Sequence, residues 1–195
     1  MIKIILKDIL KAGYEYRIQA LVVGEIGFLI CMICKAANIC FGRKRVYRTW
    51  HLYGQILYQS IFFSIICMYF TYVIAVTLSG REAGSRVGYV NAWLFETLFV
   101  DGAVRIEALE NLLLLMPSGL LMPGFFRWIR TWKRMGFFAL FFSFSIEFTQ
   151  LKTGRGYFQI DDILLNVLGA LCGYFLYKAF DFLVSRIAGK TKECC

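Results

Sequence analysis

Long apolar runs, separated by short basic loops, constrain the fold of this chain more than any other feature of its sequence. A transmembrane helix needs about 20 residues, and five runs approach or exceed that length. They extend from Gln19 to Cys40, Gln55 to Leu78, Asn111 to Phe126, Gly136 to Gln150 and Asp161 to Leu183. Hydrophobic residues make up 59% of the 195 residues, whereas soluble domains contain about 45–50%. The sequence therefore predicts an all-α fold, a polytopic membrane helix bundle with about five transmembrane helices.

Two further segments accompany the five spans. Apolar residues between Met1 and Lys11 fall on one helical face with the lysines off it, which predicts an N-terminal amphipathic helix lying at the membrane interface. The segment 88–100 is apolar but carries Asn91 and Glu96, so we interpret it as an interfacial or re-entrant piece rather than a sixth span. The predicted domains are 1–80 with the amphipathic segment and the first two spans, 81–187 with three spans, and a short cytoplasmic tail, 188–195.

The basic residues predict an orientation for the spans. Cytoplasmic loops of membrane proteins carry an excess of Lys and Arg. Leaving the N-terminal segment aside, thirteen such residues follow spans one, three and five, and five lie on the opposite side. We therefore expect a multi-pass protein of the cell membrane with its C-terminus in the cytoplasm, although the basic N-terminal segment opposes this orientation. The net charge of +9 then reflects loops facing anionic lipid, and nucleic acid is not an expected partner.

Polar side chains within or beside the apolar runs are the candidate functional residues. A charged side chain near the middle of a membrane helix costs about 2.5–3.5 kcal/mol, so each needs a use or a partner. On the predicted topology these side chains all lie in the outer part of the bilayer, and Glu25 and Glu110 are expected at the same level. We define the polar cluster, the candidate ligand-binding site, as Asn111, Glu147, Gln150, Arg155, Asp161, Asp162 and Asn166.

Helical spacing predicts how the last two spans pack together. Residues three or four positions apart share one helix face. Such stripes of small and polar residues are Gly136, Ala139, Ser143, Glu147 and Gln150 in span four, and Asp162, Asn166, Gly169 and Gly173 in span five. The pair Gly169 and Gly173 forms a GxxxG, which permits close helix approach. We therefore expect spans four and five to pack through small residues at their inner ends and to open into the polar cluster at their outer ends.

Other chemistries compete for the polar cluster. A purely structural network would pair Glu147 with Arg155 and Asn166 with Asn111, because buried polar groups need partners in any protein. The three carboxylates of the cluster are hard oxygen ligands of the kind that Mg²⁺ and Ca²⁺ prefer, but their spacing matches no established metal motif. We therefore predict no metal site and no cofactor. The serines of span four lack a nearby His or Lys base for nucleophilic catalysis.

The order and spacing of these residues resemble the VanZ-like family. The stretch from Asn111 through Pro117 to Gly119 resembles that family's N-x-x-x-F-x-P-x-G span. The stretch 147–173 resembles its E-x-x-Q … R … D-D-x-x-x-N-x-x-G-x-x-x-G end. The similarity covers roughly a third of the chain, and Arg86 and Asn91 are similar to a looser upstream element.

The resemblance implies a bacterial multi-pass membrane protein of the cell envelope, from a family whose namesake is associated with lowered susceptibility to the lipoglycopeptide teicoplanin. We expect the polar cluster to bind an amphiphile in the outer leaflet, with Arg155 pairing an anionic head group. Membrane lipids, a lipid-linked cell-wall intermediate and the lipoglycopeptide itself are the expected partners. Two alternatives stay open: an intramembrane enzyme acting on an envelope lipid, with Glu147 or Asp162 as general base, and a structural bundle that docks a partner. Binding is favoured over catalysis.

Overall fold

Helices dominate the part of the chain that the computed structural model describes. The described residues are 2–41, 49–79, 84, 90–91, 93–95, 99–100 and 103–193. The chain divides into two compact units, an N-terminal one comprising Ile2–Val76 and a C-terminal one beginning at Thr77. Within the described residues, four helical segments are long and apolar enough to cross a membrane: Arg17–Lys35, Tyr53–Leu78, Ile106–Phe125 and Ile160–Ile187. The predicted all-α membrane fold is confirmed.

The N-terminal unit consists of three helices: α1 (Ile2–Glu15), α2 (Arg17–Phe41) and α3 (Thr49–Ile74). A π-helical turn, Ala75–Ser79, follows α3, and its last three residues already belong to the C-terminal unit. Helices α2 and α3 pack closely because glycine leaves room between them. A Cβ atom at Gly27 would lie 2.7 Å from the sulfur of Cys67. Helix α1 coincides with the predicted amphipathic segment, and the side chains of Lys3, Lys7 and Lys11 on it are exposed.

The C-terminal unit holds three longer helices and four two-residue strands. The helices are α4 (Ile106–Phe125), α5 (Trp132–Thr153) and α6 (Ile160–Glu193). The strands are β1 (Val90–Asn91), β2 (Phe99–Val100), β3 (Ala103–Val104) and β4 (Phe158–Gln159). Strand β1 pairs with β4 in parallel, and β2 pairs with β3 in antiparallel fashion. The described residues of 88–100 thus form strands and a turn rather than a spanning helix.

Glycines set the packing of α4 against α6. A Cβ atom at Gly169 would meet the carbonyl oxygen of Leu112, and one at Gly173 would meet that of Met116. From the first contact to the second, the chain advances four residues in the same direction on each helix, so α4 and α6 run parallel. Small residues on α4 complete the contact, since a Cβ atom at Gly119 would lie 2.6 Å from the backbone nitrogen of Tyr174. The expectation that the GxxxG of α6 packs against the neighbouring span, α5, is therefore wrong. Its partner is α4, which has a glycine of its own at the contact.

Helix α5 packs against α6 in the opposite direction. Ser143 lies beside Asn166. Earlier on α5, a Cβ atom at Gly136 would lie 3.7 Å from the side chain of Leu171, which comes later on α6. The helix has 22 residues, which corresponds to about 33 Å, close to the hydrocarbon thickness of a bilayer. It is less apolar than the four spans given above, because it carries the polar stripe and the basic residues at its ends. A membrane crossing by α5 stays a prediction.

Candidate functional site

Six of the seven residues of the polar cluster lie where α5 ends and α6 begins, which we call the polar end of the C-terminal unit. A glycine makes this arrangement possible. Gly154 follows α5 in the left-handed conformation, with φ of 61°, and its N–H donates to the carbonyls of Gln150 and Leu151. Glycine adopts this conformation without steric cost. The chain therefore leaves the helix abruptly, and the Arg155 N–H donates to the same Gln150 carbonyl at 2.9 Å.

Two buried side chains of α5 hold the segments around them. Glu147 is 3% exposed, and its Oε2 accepts a hydrogen bond of 3.0 Å from the backbone N–H of Gln159. Gln150 is buried too, and its Nε2 donates to the carbonyl oxygen of Thr77 at 2.9 Å. The two residues lie three positions apart, on one face of the helix. The polar part of the α5 stripe thus fixes both the entry to α6 and the backbone at Thr77, where the C-terminal unit begins.

Arg155 is half-buried at this end of the unit. Its terminal nitrogen donates to the carbonyl oxygen of Leu78 at 2.8 Å. Carbonyls in the last turn of a helix lack partners within that helix, and a cation is favourable there. The guanidinium therefore caps a carbonyl at the end of the π-helical turn, at a residue that belongs to the C-terminal unit. Its buried Nε has no hydrogen-bond acceptor among the described residues, so this N–H is left unsatisfied there.

The first turn of α6 contributes two carboxylates with different exposure. Asp161 is almost completely buried, and its Oδ1 accepts a hydrogen bond of 2.7 Å from the backbone N–H of Phe95. A carboxylate is favoured at a helix N-terminus. Asp162 is half-buried. Beside them, the buried Asn91 lies opposite Gln159 in the β1–β4 pair. Asn91 therefore belongs to the surroundings of the polar cluster.

The comparison with family models identifies the chain. A model described as VanZ/LLP1 matches residues 28–183, well over half of the sequence. The chain belongs to the VanZ/LLP1 family. Comparisons with curated proteins and with solved structures found no match.

The family match and the four apolar helices make this chain a membrane protein of the VanZ family. The suspected resemblance is thereby confirmed. The match contains the entire polar cluster, and it ends at Leu183, within α6.

A second layer of this VanZ-family site lies about one helical turn deeper. Asn166 is 2% exposed, and its Nδ2 donates to the Ser143 hydroxyl oxygen at 2.9 Å. The structural-network alternative had paired Asn166 with Asn111. The hydrogen bond shown for the Asn166 side chain is instead the one to Ser143 on α5. The Oδ1 of Asn166 has no hydrogen-bond partner in the described part of the chain. A buried acceptor left unpaired costs about 1–3 kcal/mol, so this amide is a natural place for a ligand or a water molecule.

The remaining residues predicted for the site, or for its level in the membrane, take part in none of the hydrogen bonds given above. Asn111 is half-buried on α4, next to Leu112, whose carbonyl contacts α6. Glu110, on the same helix, is also half-buried. Glu25 belongs to the N-terminal unit, where its side chain is exposed. Arg86, named with the upstream element, lies outside the described residues.

Two contributions to the site were not foreseen from the sequence. One is the pair of backbone carbonyls at Thr77 and Leu78 that accept from Gln150 and Arg155. The other is the hydroxyl of Ser143, which belonged to the predicted α5 stripe but not to the polar cluster. Its position one turn before Glu147 was the only available signal.

A metal site receives no support from the arrangement of side chains. Among the described residues, no group of three or more His, Cys, Asp or Glu is placed to hold a metal ion. Glu147 and Asp161 instead accept hydrogen bonds from backbone N–H groups. These two carboxylates thus hold the backbone at Gln159 and at Phe95.

Proposed function

We propose that this VanZ-family protein binds an anionic amphiphile of the cell envelope at the polar cluster, with Arg155 facing the ligand's head group. The observation that carries the proposal is the unfinished coordination of Arg155. Within the described residues its side chain bonds only to a backbone carbonyl, and its buried Nε has no acceptor. A buried N–H without an acceptor is costly, and a half-buried guanidinium is stabilised further by a counter-charge. A phosphate or carboxylate would supply both the counter-charge and the missing acceptor.

Asn166 supports a ligand with more than an anionic group. Its Oδ1 is a buried acceptor that has no partner within the described ranges, and it lies one turn deeper than Asp162. A hydroxyl or an N–H donor on the ligand would satisfy it. The ligand class that offers both groups is a lipid with a phosphate and a hydroxylated or amide-bearing head, such as phosphatidylglycerol or a lipid-linked cell-wall sugar. The lipoglycopeptide teicoplanin offers a comparable combination, with a carboxylate in place of the phosphate, amide N–H donors and an acyl chain.

The proposed site faces the outside of the cell. The basic loop between α4 and α5 supports this orientation, because it lies at the other end of the unit. The Tyr174 hydroxyl on α6 donates to the carbonyl of Arg130 in that loop at 2.9 Å. From Asp161 to Tyr174 the axis of α6 rises about 20 Å. A basic loop on the cytoplasmic side therefore corresponds to a polar cluster in the outer leaflet, where cell-wall lipids and lipoglycopeptides meet the membrane.

Drug susceptibility in a Gram-positive host tests the proposal. The strains carry an empty vector, the wild type, Arg155→Ala or Arg127→Ala at matched membrane levels. We expect the wild type to raise the inhibitory concentration of teicoplanin but not of vancomycin, because only teicoplanin has an acyl chain. Arg155→Ala should lose this protection, whereas Arg127→Ala, an exposed residue of the basic loop, should keep it. Full protection by Arg155→Ala would contradict the role assigned to Arg155.

One observation favours an enzyme as the second candidate. Asp162 is half-buried, while Glu147 and Asp161 are buried. It is therefore the carboxylate of the cluster that a bound lipid reaches most easily, and it could act as general base. Purified protein would then turn over a phospholipid or polyprenyl lipid, and Asp162→Asn would abolish turnover while binding persists. Absence of turnover with intact binding leaves the binding proposal in place.

A further inference from the structure

Three large apolar side chains in a row, Trp93, Leu94 and Phe95, project from the turn after β1. They are 76%, 55% and 58% exposed. We call these three residues the apolar tip. Turns of soluble proteins favour small and polar residues, and an exposed apolar patch commonly marks an interaction surface. The apolar tip is therefore a candidate contact surface outside the polar cluster.

Two buried side chains hold the backbone of the apolar tip. The Asn91 Oδ1 accepts a hydrogen bond of 3.0 Å from the Trp93 N–H, and the Asp161 Oδ1 accepts one of 2.7 Å from the Phe95 N–H. Phe95 itself has a φ of 67°, in the left-handed region that bulky residues rarely adopt. Such a conformation costs about 1–3 kcal/mol and persists only where its surroundings enforce it. The tip is thus held in a fixed conformation while its three side chains stay exposed.

The apolar tip continues the outer surface of α5. Val90, just before the tip, is exposed and lies opposite Phe158 in the β1–β4 pair. The Phe158 ring packs edge-to-face on the ring of Phe144, with 5.7 Å between centroids. Phe144 and Phe148 are both exposed on the last turns of α5. One apolar surface therefore extends from the outside of the helix bundle to the tip.

The level of the apolar tip in the unit indicates what covers it. Asp161, which holds Phe95, lies in the first turn of α6, and a spanning helix begins near the membrane–water interface. Tryptophan is favoured at that level of a bilayer, and segments that lie in the interface place Trp, Phe and Leu in the lipid. We propose that the apolar tip inserts into the lipid interface at the polar end of the unit. Through Asn91 and Asp161 the inserted tip then holds the polar cluster at head-group depth. The insertion does not depend on the ligand proposed above.

Fluorescence of Trp93 tests this insertion directly, because the chain has four tryptophans. The variant Trp50→Phe, Trp128→Phe, Trp132→Phe retains Trp93 alone. It is reconstituted into vesicles of phosphatidylcholine and phosphatidylglycerol that carry a spin label near the head group or deep in the acyl chain. We expect blue-shifted emission, loss of half or more of the fluorescence with the shallow label, weaker quenching with the deep label, and little quenching by aqueous iodide.

Matched variants complete the test. In the same background, Asp161→Ala frees the Phe95 N–H, so quenching by the shallow label should fall and quenching by iodide should rise. A protein that retains only Trp128, exposed beside the basic loop, serves as an interfacial reference. If the triple variant does not fold, the difference in quenching between the wild type and Trp93→Phe reports the same residue. Emission of a water-exposed tryptophan, with quenching by iodide and none by lipid labels, would overturn the insertion.

Discussion

Asn166 on α6 donates a hydrogen bond of 2.9 Å to the hydroxyl of Ser143 on α5, and both side chains are almost completely buried. This bond lies directly beneath the part of the polar cluster formed by Glu147 and Asp162. It ties together two antiparallel helices at a point where both side chains are shielded from solvent. A hydrogen bond in such surroundings contributes to stability chiefly because leaving either partner unpaired is costly.

Replacing Ser143 by alanine should therefore destabilise the protein. The variant leaves both ends of the Asn166 amide without a partner, at a cost of about 1–3 kcal/mol. Thermal unfolding in detergent, followed by circular dichroism, measures the effect. Ser145→Ala is the matched control, because the Ser145 hydroxyl donates to the Phe141 carbonyl of its own helix at 2.7 Å. It should change the midpoint little. Equal midpoints for the two variants would show that the interhelical bond does not contribute.

The contact between α4 and α6 predicts a contrast between two glycines. At Gly119 a Cβ atom would collide with the carbonyl oxygen of Ala170, which is backbone and cannot rotate away. Gly119→Ala should therefore force the helices apart, at about 1–3 kcal/mol. Gly136→Ala on α5 meets only the flexible end of Leu171 at 3.7 Å and should be neutral or slightly stabilising. Unfolding midpoints compare them, and a tolerated Gly119→Ala would contradict the close α4–α6 contact.

Hydropathy was enough to predict the helical membrane fold, and residue spacing indicated which polar residues share a helix face. Spacing shows that Gly169 and Gly173 share a face, but it does not show which neighbour that face meets. The partner depends on how three helices pack together, and α4 could supply Gly119 at the contact. For the same reason the sequence predicted a stripe through Ser143 without showing that it bonds to Asn166.

Contacts made by loop backbone were beyond sequence reasoning. Nothing in the sequence shows that the Asp161 carboxylate accepts from the Phe95 N–H, or that Gln150 reaches the Thr77 carbonyl. Such bonds depend on the path of the main chain, and a main-chain N–H or carbonyl is present at almost every position. Side-chain chemistry alone therefore indicates which groups need partners and leaves the partners unidentified.

Gln150 should not tolerate a change to glutamate. Its Nε2 donates to the Thr77 carbonyl, and a carboxylate at that position would present an acceptor to an acceptor. The lost bond and the buried charge should cost about 1–3 kcal/mol or more. Gln55→Glu, on the exposed face of α3, is the matched control and should be nearly neutral. The unfolding midpoint in detergent is again the measurement. If Gln150→Glu is as stable as this control, the hydrogen bond between the Gln150 amide and the Thr77 carbonyl does not contribute to stability.

An anionic lipid should stabilise the wild-type protein, and Arg155→Ala should abolish that effect. A ligand that binds only the folded state adds about 2.7 kcal/mol of stability at a hundred times its Kd. We therefore expect the unfolding midpoint to rise with added phosphatidylglycerol, which offers a phosphate to Arg155 and hydroxyls to Asn166, and to rise less with phosphatidylcholine. Arg127→Ala should respond like the wild type, because Arg127 is exposed in the loop at the other end of the unit. A rise that survives in Arg155→Ala but is lost in Arg127→Ala would move the anion site to the basic loop and contradict the proposed function.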